Sequence, residues 1–237
     1  MSKYQVNLSD QIQNWKLDNI FYENTPKSFL KEEEEDFKYL DINIKSLLAF
    51  YPPANSSRQT KSELLQVKSF MEQEHDDEFI ANLSKMDKHP SGFVMDFYEE
   101  ISDEKIDADV REVILGRDAE RLTMKLKMYY DRARPFQIAE HYKLEFKYNK
   151  SVQSGTGSSP SYPSGHTLAA YFAAHVLSYL NPEFKDALLQ RAELVALSRI
   201  KEGVHFPSDN QFSVYLSEKV LLPAFIKYYE LSKTNSE

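Results

Sequence analysis

Cysteine is absent from the 237-residue sequence. Disulfide bonds, thiolate nucleophiles and cysteine-ligated zinc or iron–sulfur sites are therefore excluded. The absence does not assign a cellular compartment, because secreted proteins can also do without cysteine.

Glycine and proline are scarce, with 6 and 10 residues, together about 7% of the chain against about 12% in an average protein. This leaves little turn chemistry for a protein of many strands. The sequence does contain 15 tyrosines and 15 phenylalanines, which supply apolar surface for a sizeable core. We therefore expect a mostly helical globular fold.

Long apolar runs are also missing. The longest, residues 168–174, has seven residues, whereas a membrane-spanning helix needs about 20. Residues 1–10 lack the apolar stretch and the small-residue cleavage site of a secretory signal. We expect a soluble protein without a membrane span, cytoplasmic as written, or periplasmic or secreted if the sequence is a mature form.

Basic residues are outnumbered, 29 against 37 acidic ones, for a formal net charge of −8. An acidic chain is not typical of proteins that bind a nucleic-acid polymer. Residues 31–36, one lysine followed by five acidic residues, are interpreted as a solvated helix face or flexible arm. We predict that residues 1–36 form a polar N-terminal arm or extra helix and that residues 37–237 form a single helical domain.

Apolar periodicity and breaker residues locate the helices of that domain. The predicted segments are a helix around residues 64–71, a stretch over 110–129 interrupted by Gly116, a buried central helix over 168–180, a helix over 183–202 closed by Gly203, and a last helix over 207–230 that Pro223 can kink. Residues 141–162 are predicted to form a loop with a short extended piece.

Three clusters concentrate groups that bind phosphate or transfer protons. In the first, Lys127 and Arg134 lie seven residues apart, which on one helix is two turns and therefore one face. A positively charged surface helix is the alternative interpretation of this segment.

The second cluster, Pro163-Ser164-Gly165-His166, opens the predicted central helix. The hydroxyl and the free backbone N–H groups of a helix N-terminus can cradle an anion, with His166 directed at it. A plain capping turn with a structural histidine is equally compatible with these residues.

The third cluster contains Arg199, His205 and Asp209. If a helix starts near Pro207, the Asp209 carboxylate can hold one ring nitrogen of His205 and leave the other nitrogen basic or nucleophilic. Alternatively, Asp209 is simply an acidic residue that the helix dipole favours.

Taken together, the clusters resemble the tripartite signature of the type 2 phosphatidic acid phosphatase superfamily. The signature is Lys127, six residues, Arg134-Pro135; then Pro163-Ser164-Gly165-His166; then Ser198-Arg199, five residues, His205, three residues, Asp209. Every defining position is filled in the expected order. The flanking residues, such as Arg132-Ala133-Arg134-Pro135-Phe136, look like those of the soluble class A bacterial non-specific acid phosphatases. The resemblance extends over residues 47–225.

This resemblance implies a compact all-α bundle of the acid phosphatase and vanadium haloperoxidase type, and a metal-independent acid phosphatase acting on phosphomonoesters without a cofactor. The catalytic residues would be His205, forming a phosphohistidine, Asp209, orienting it, and His166, the acid and then the base. The phosphate-binding residues would be Lys127, Arg134, Ser164, Gly165 and Arg199. The expected partner is a small phosphomonoester, with a homo-oligomer possible, and vanadate is expected to inhibit.

Three other functions stay open. A vanadium-dependent haloperoxidase uses the same kind of anion site, with vanadate as its cofactor, but the chain is short for that family. A non-catalytic phosphate-binding module would need the cations but not the two histidines. A lipid phosphate phosphatase is a further option, although its membrane relatives span the bilayer several times. On the leaving-group side of the site we expect Tyr129, Tyr130 or Phe136.

A nucleophilic His205 must be unprotonated, whereas an acidic His166 must be protonated. We therefore predict a bell-shaped dependence of the hydrolysis rate on pH, with its maximum on the acidic to neutral side. Initial rates on an aryl phosphate measured across that range test this, and a flat profile would contradict a two-histidine mechanism.

Overall fold

The computed structural model describes residues 8–22, 35–146 and 157–234. The α-helices are α1 (Leu8–Asp18), α2 (Arg58–Glu72), α3 (Asp77–Lys88), α4 (Pro90–Ser102), α5 (Ala108–Leu115), α6 (Asp118–Tyr130), α7 (Pro135–Ile138), α8 (Gly165–Leu180), α9 (Lys185–Lys201), α10 (Pro207–Leu216) and α11 (Leu222–Thr234). Within the described ranges the strand-like pairing is limited to a single bridge between Phe21 and Arg132. The expected all-α fold is confirmed.

Helix α8 lies at the centre of the fold, as its apolar sequence predicts. It packs against α4, α6, α9 and α10, and Leu168, Phe172 and Val176 are fully buried. Burying each such side chain stabilises the fold by about 1.5–3 kcal/mol. The helix begins after Ser164, whose hydroxyl accepts the Thr167 amide, and it ends at Leu180. The core therefore fixes the helix whose N-terminus carries the second motif.

Gly116 separates two helices, as expected. Helix α5 ends before it, and Arg117 takes a left-handed conformation (φ 69°) that turns the chain into α6. The buried Asp118 carboxylate then accepts the backbone amides of Lys38, Tyr39 and Leu40 at 2.7–2.9 Å. A buried carboxylate must be satisfied by donors, so Asp118 ties the segment before α2 to the start of α6.

The expected last helix is divided into two. Helix α10 ends at Leu216, a π-helical turn covers Ser217–Leu221, and α11 follows. Pro223 has no N–H to donate, and its ring crowds the preceding turn. The wider π-helical turn lies just before this proline and joins the two helices.

Part of the N-terminal arm forms helix α1, whose C-terminal end is hydrogen-bonded to the segment before α2. The Asn55 amide donates to the carbonyls of Leu17 and Ile20 at 3.0 and 2.9 Å, and the Ser56 hydroxyl donates to Asp18 at 2.7 Å. Most of the acidic run at 31–36 lies outside the described residues. Its Glu35 pairs with Arg121 at 2.8 Å.

The predicted loop over 141–162 is only partly described, since residues 147–156 lie outside the described residues. A 3-10 turn over Ala139–Tyr142 continues α7 at the start of this loop, and the expected short extended piece falls partly outside the described residues. No helix in the described parts of the chain is long and apolar enough to cross a bilayer.

Gly203 closes α9 in a left-handed conformation, with φ of 69°, and leads directly to His205. A residue with a Cβ atom loses about 1–2 kcal/mol there. We expect Gly203→Ala to lower the free energy of unfolding, measured by chemical denaturation, by this amount or more, because the new Cβ would also lie 2.7 Å from Met71 Sδ. Gly92→Ala is the matched control, since Gly92 lies inside α4 and a Cβ there would meet only the His89 Cβ at 3.4 Å. Equal stability of Gly203→Ala and wild type would contradict the conformational argument.

Candidate active site

The His205–Asp209 pair forms as the sequence predicts. His205 lies in the loop after α9, Asp209 is in the first turn of α10, and both are buried. His205 Nδ1 is 3.2 Å from Asp209 Oδ2, and Arg134 Nη1 is 3.1 Å from His205 Nε2. Because a carboxylate accepts and a guanidinium donates, Nδ1 carries the proton and Nε2 presents its lone pair. This is the tautomer that a nucleophilic imidazole requires.

The Asp209 carboxylate has further donors besides His205. Arg132 Nη1 donates to Oδ1 at 2.6 Å, the Phe206 amide donates to Oδ2 at 2.8 Å, and the Ser161 hydroxyl also donates to Oδ2. Burial opposes ionisation, but Arg132, His205 and Ser161 together lower the pKa of Asp209 to about 2. Asp209 is therefore a fixed negative charge behind His205.

Lys127 and Arg134 meet at the same cavity, although not on one helix face. Helix α6 ends at Tyr130, and Asp131 takes a left-handed conformation with φ of 46°. The chain therefore turns before Arg134, and the expected two-turn helical spacing is wrong. The turn brings Arg134 to the cavity from a second direction, held by the carbonyls of Ser159 and Val204 at 2.8 Å each. Lys127 donates to the carbonyl of Pro160.

The N-terminus of α8 supplies a third wall. Gly165 lies against α6 so closely that a Cβ would be 3.2 Å from Thr123 Cγ2. The Ser164 hydroxyl is buried and occupied with Thr167. Gly165 and His166 line the cavity, whereas Ser164 does not. In this arrangement the serine acts as a helix cap.

His166 is held by Asp87, a residue of α3. Its Nε2 lies 2.8 Å from the Asp87 carbonyl oxygen and 3.4 Å from Asp87 Oδ1. A carbonyl oxygen can only accept, so Nε2 carries a proton, and Nδ1 is the nitrogen left for proton exchange. Burial, and then the charge of Arg199, lower the pKa of His166 to about 3. These surroundings favour the neutral form of this histidine.

Arg199 is fully buried behind His166 and does not line the cavity. Its Nη1 donates to Asp87 Oδ1 at 2.6 Å, and its Nη2 donates to Glu202 Oε1 at 3.1 Å. Arg199 therefore contacts Asp87, which lines the cavity, and does not reach the cavity itself.

These residues enclose a cavity of about 710 Å³. Lys127, Arg134, His166 and His205 lie at its charged end. Its apolar wall consists of Ile114, Leu115, Ala119, Met124 and Ala169. The expected aromatic lining is wrong, because this cavity's wall includes none of Tyr129, Tyr130 and Phe136. Tyr129 and Tyr130 instead belong to an aromatic cluster with Tyr51.

Sequence reasoning missed two buried residues that organise the site, Arg132 and Asp87. The Arg132 guanidinium stacks on the Phe206 ring, 4.0 Å from the ring centre. Its position between Lys127 and Arg134 is the sequence feature that could have identified it. Asp87 comes from α3, with no recognisable motif around it. Its role depends on tertiary packing alone.

Comparisons with known proteins find related sequences over part of the chain. Residues 115–232, about half of the chain, match the PAP2 superfamily. The chain is 38% identical to a non-specific acid phosphatase of Providencia stuartii over 87 residues, covering 37% of this chain and 34% of that protein. It is 32% identical to a non-specific acid phosphatase of Salmonella typhi over 120 residues, 48% and 46% of the two chains. The chain is also 34% identical to a lipid A 1-phosphatase of Rhizobium etli over 86 residues, which cover 35% of this chain and 34% of that protein. The matched segment thus spans about a third to a half of each relative.

The site gathers cationic side chains at one end of the cavity. Burial, and then Arg134, hold the pKa of both Lys127 and His205 well below its ordinary value. A bound phosphate dianion would counter this by favouring the charged forms. An anion that enters the cavity should therefore change how the folded protein titrates.

We predict that acid destabilises the ligand-free protein and that inorganic phosphate reduces this effect. The pKa of His166 is about 3 in the fold and about 6.5 when unfolded. Between these values the unfolded chain binds more protons, so stability falls as pH decreases from about 6.5. The melting temperature, followed from neutral to acidic pH with and without phosphate, measures this. His166→Asn should weaken the pH dependence, whereas His141→Gln, at an exposed position, should not. Identical slopes in all three proteins would contradict the prediction.

Proposed function

Because the chain belongs to the PAP2 superfamily, we propose that it is a phosphatase that hydrolyses phosphomonoesters at the cavity lined by α6, the start of α8 and the loop before α10. The observation that carries the proposal is the His205 imidazole, whose Nδ1 is held by a buried carboxylate and whose Nε2 lies beside Arg134. A phosphate-binding module would need the cations but not this oriented, neutral histidine.

His205 Nε2 attacks phosphorus, and the bond from phosphorus to the leaving oxygen breaks as the phosphohistidine forms. Asp209 stabilises the positive charge that the imidazole acquires. His166 gives a proton to the leaving oxygen and then takes one from the water that hydrolyses the phosphohistidine. Arrival of a phosphate dianion raises the pKa of His166 and prepares it as the acid.

The phosphoryl oxygens are bound by Lys127, Arg134 and the N-terminus of α8 at Gly165. Guanidinium and ammonium groups stabilise the charge that develops on these oxygens. Arg199 pairs with the carboxylate of Asp87 and so holds the residue whose carbonyl oxygen contacts His166. We propose that these cations supply the stabilisation that other phosphatases obtain from metal ions, and that dialysis against a chelator leaves the activity unchanged.

The test compares His205→Asn and His166→Asn on aryl phosphates of different leaving-group acidity. We expect His205→Asn to lose activity about a thousandfold or more on every substrate. His166→Asn should lose about a hundredfold or more on phenyl phosphate, and much less on dinitrophenyl phosphate, because an acidic phenol leaves without a proton. Because the N–P bond of a phosphohistidine is labile to acid, turnover of a substrate labelled in its phosphate should be quenched in alkaline detergent, which should trap label on wild type and none on His205→Asn.

His141→Gln is the control, since this histidine is exposed. Undiminished turnover by His205→Asn would refute the proposed nucleophile. Vanadate should inhibit competitively as an analogue of the phosphoryl group. Vanadate- and peroxide-dependent halide oxidation without phosphate hydrolysis would instead identify a haloperoxidase.

A further inference from the structure

Glu202 is a second carboxylate on Arg199. It follows the last residue of α9, and its side chain is only 9% exposed. Oε1 accepts from Arg199 Nη2 at 3.1 Å, while Oε2 lies 3.1 Å from Nη1 without the alignment of a hydrogen bond. The carboxylate therefore faces both terminal nitrogens of the guanidinium.

The remaining nitrogen atoms of Arg199 have partners as well. Asp87 accepts from Nη1 at 2.6 Å, and the Ser198 hydroxyl accepts from Nε at 3.0 Å. One buried guanidinium thus serves two carboxylates, and a phosphoryl oxygen must compete with them for its protons. Since Arg199 does not line the cavity, an ionised Glu202 holds it on the far side of Asp87.

Resting on the phosphatase function proposed above, we propose that Glu202 is a positioning residue that competes with the phosphoryl group for Arg199. When Glu202 is ionised, it holds the guanidinium away from the substrate. When Glu202 is protonated, Arg199 Nη2 is released towards the anion. Glu202 thereby restricts tight phosphate binding to the acidic side of neutrality.

The charges around Glu202 determine the direction of this effect. Burial raises the pKa of Glu202 to about 7, Arg199 opposes that shift, and Asp87 of α3 adds to it. His166 of α8 faces the same cluster through Asp87. The neighbouring Lys201 is turned away, donating to the carbonyls of Met71 and Gln73 at the end of α2. Above about pH 7 Glu202 is therefore charged, and below it Glu202 is neutral.

The experiment measures the affinity for inorganic phosphate by calorimetry as a function of pH, for wild type and Glu202→Gln. Glutamine keeps the size of the side chain and an oxygen that can accept from Arg199, but it carries no charge. Because this readout is binding, it does not depend on turnover. The titration of phosphate itself is the same for both proteins and cancels in the comparison. Glu183→Gln is the control, since Glu183 is exposed and precedes the opposite end of α9.

We expect Glu202→Gln to bind phosphate about tenfold more tightly than wild type above pH 7, the effect of roughly one pKa unit, and equally at acidic pH. On a hydrolysed substrate, KM should change in the same way, with kcat nearly constant. In an Arg199→Gln background the effect of Glu202→Gln should disappear. If the Arg199→Gln variant does not fold, the single variant Glu202→Leu should show the same pH dependence of phosphate affinity as Glu202→Gln.

Parallel pH profiles for wild type and Glu202→Gln would overturn the competition, as would weaker binding by Glu202→Gln at every pH. Absence of phosphate ester hydrolysis by wild type, together with the expected binding profiles, would refute the phosphatase function while leaving the competition for Arg199 intact.

Discussion

The buried carboxylate of Asp209 is the group on which the arrangement of the site depends. A negative charge without access to water must be paired and hydrogen-bonded. The donors come from separate parts of the chain: Arg132 after α6, Ser161 before α8, and His205 before α10. Satisfying one carboxylate therefore brings the three motif-bearing segments together. Arg132 is balanced in turn by Glu63 of α2, 3.5 Å away.

A carboxyl-bearing residue stands behind each candidate catalytic histidine, but the contacts differ. Asp209 contacts Nδ1 of His205 through its side chain, and the other ring nitrogen, Nε2, lies beside Arg134. Asp87 contacts His166 mainly through its backbone carbonyl, and its carboxylate binds Arg199. Each of these carboxylates is also shared with an arginine, Asp209 with Arg132 and Asp87 with Arg199, both at 2.6 Å. The two pairs therefore differ in which oxygen lies nearest the imidazole, a carboxylate oxygen for His205 and a backbone carbonyl oxygen for His166.

The overall acidity of the chain and the charge of the cavity have opposite signs. The net charge of −8 is an average over exposed glutamates and aspartates, whereas Lys127 and Arg134 are buried at one end of a cavity. Burial strengthens their interaction with an anion because water no longer screens it. The fold thus combines an acidic chain with a local cluster of cationic side chains, and an apolar wall lies beside that cluster.

The sequence by itself determined the helical class, the break at Gly116, the buried central helix and the identity of the motif residues, because these depend on local periodicity, caps and spacing. The tertiary structure decided how Lys127 and Arg134 meet, that Ser164 caps its helix, and that Asp87 and Glu202 both pair with Arg199. The physical reason is that these contacts join segments far apart in the chain. Their partners are selected by burial and charge pairing, which leave no periodic signal in the sequence.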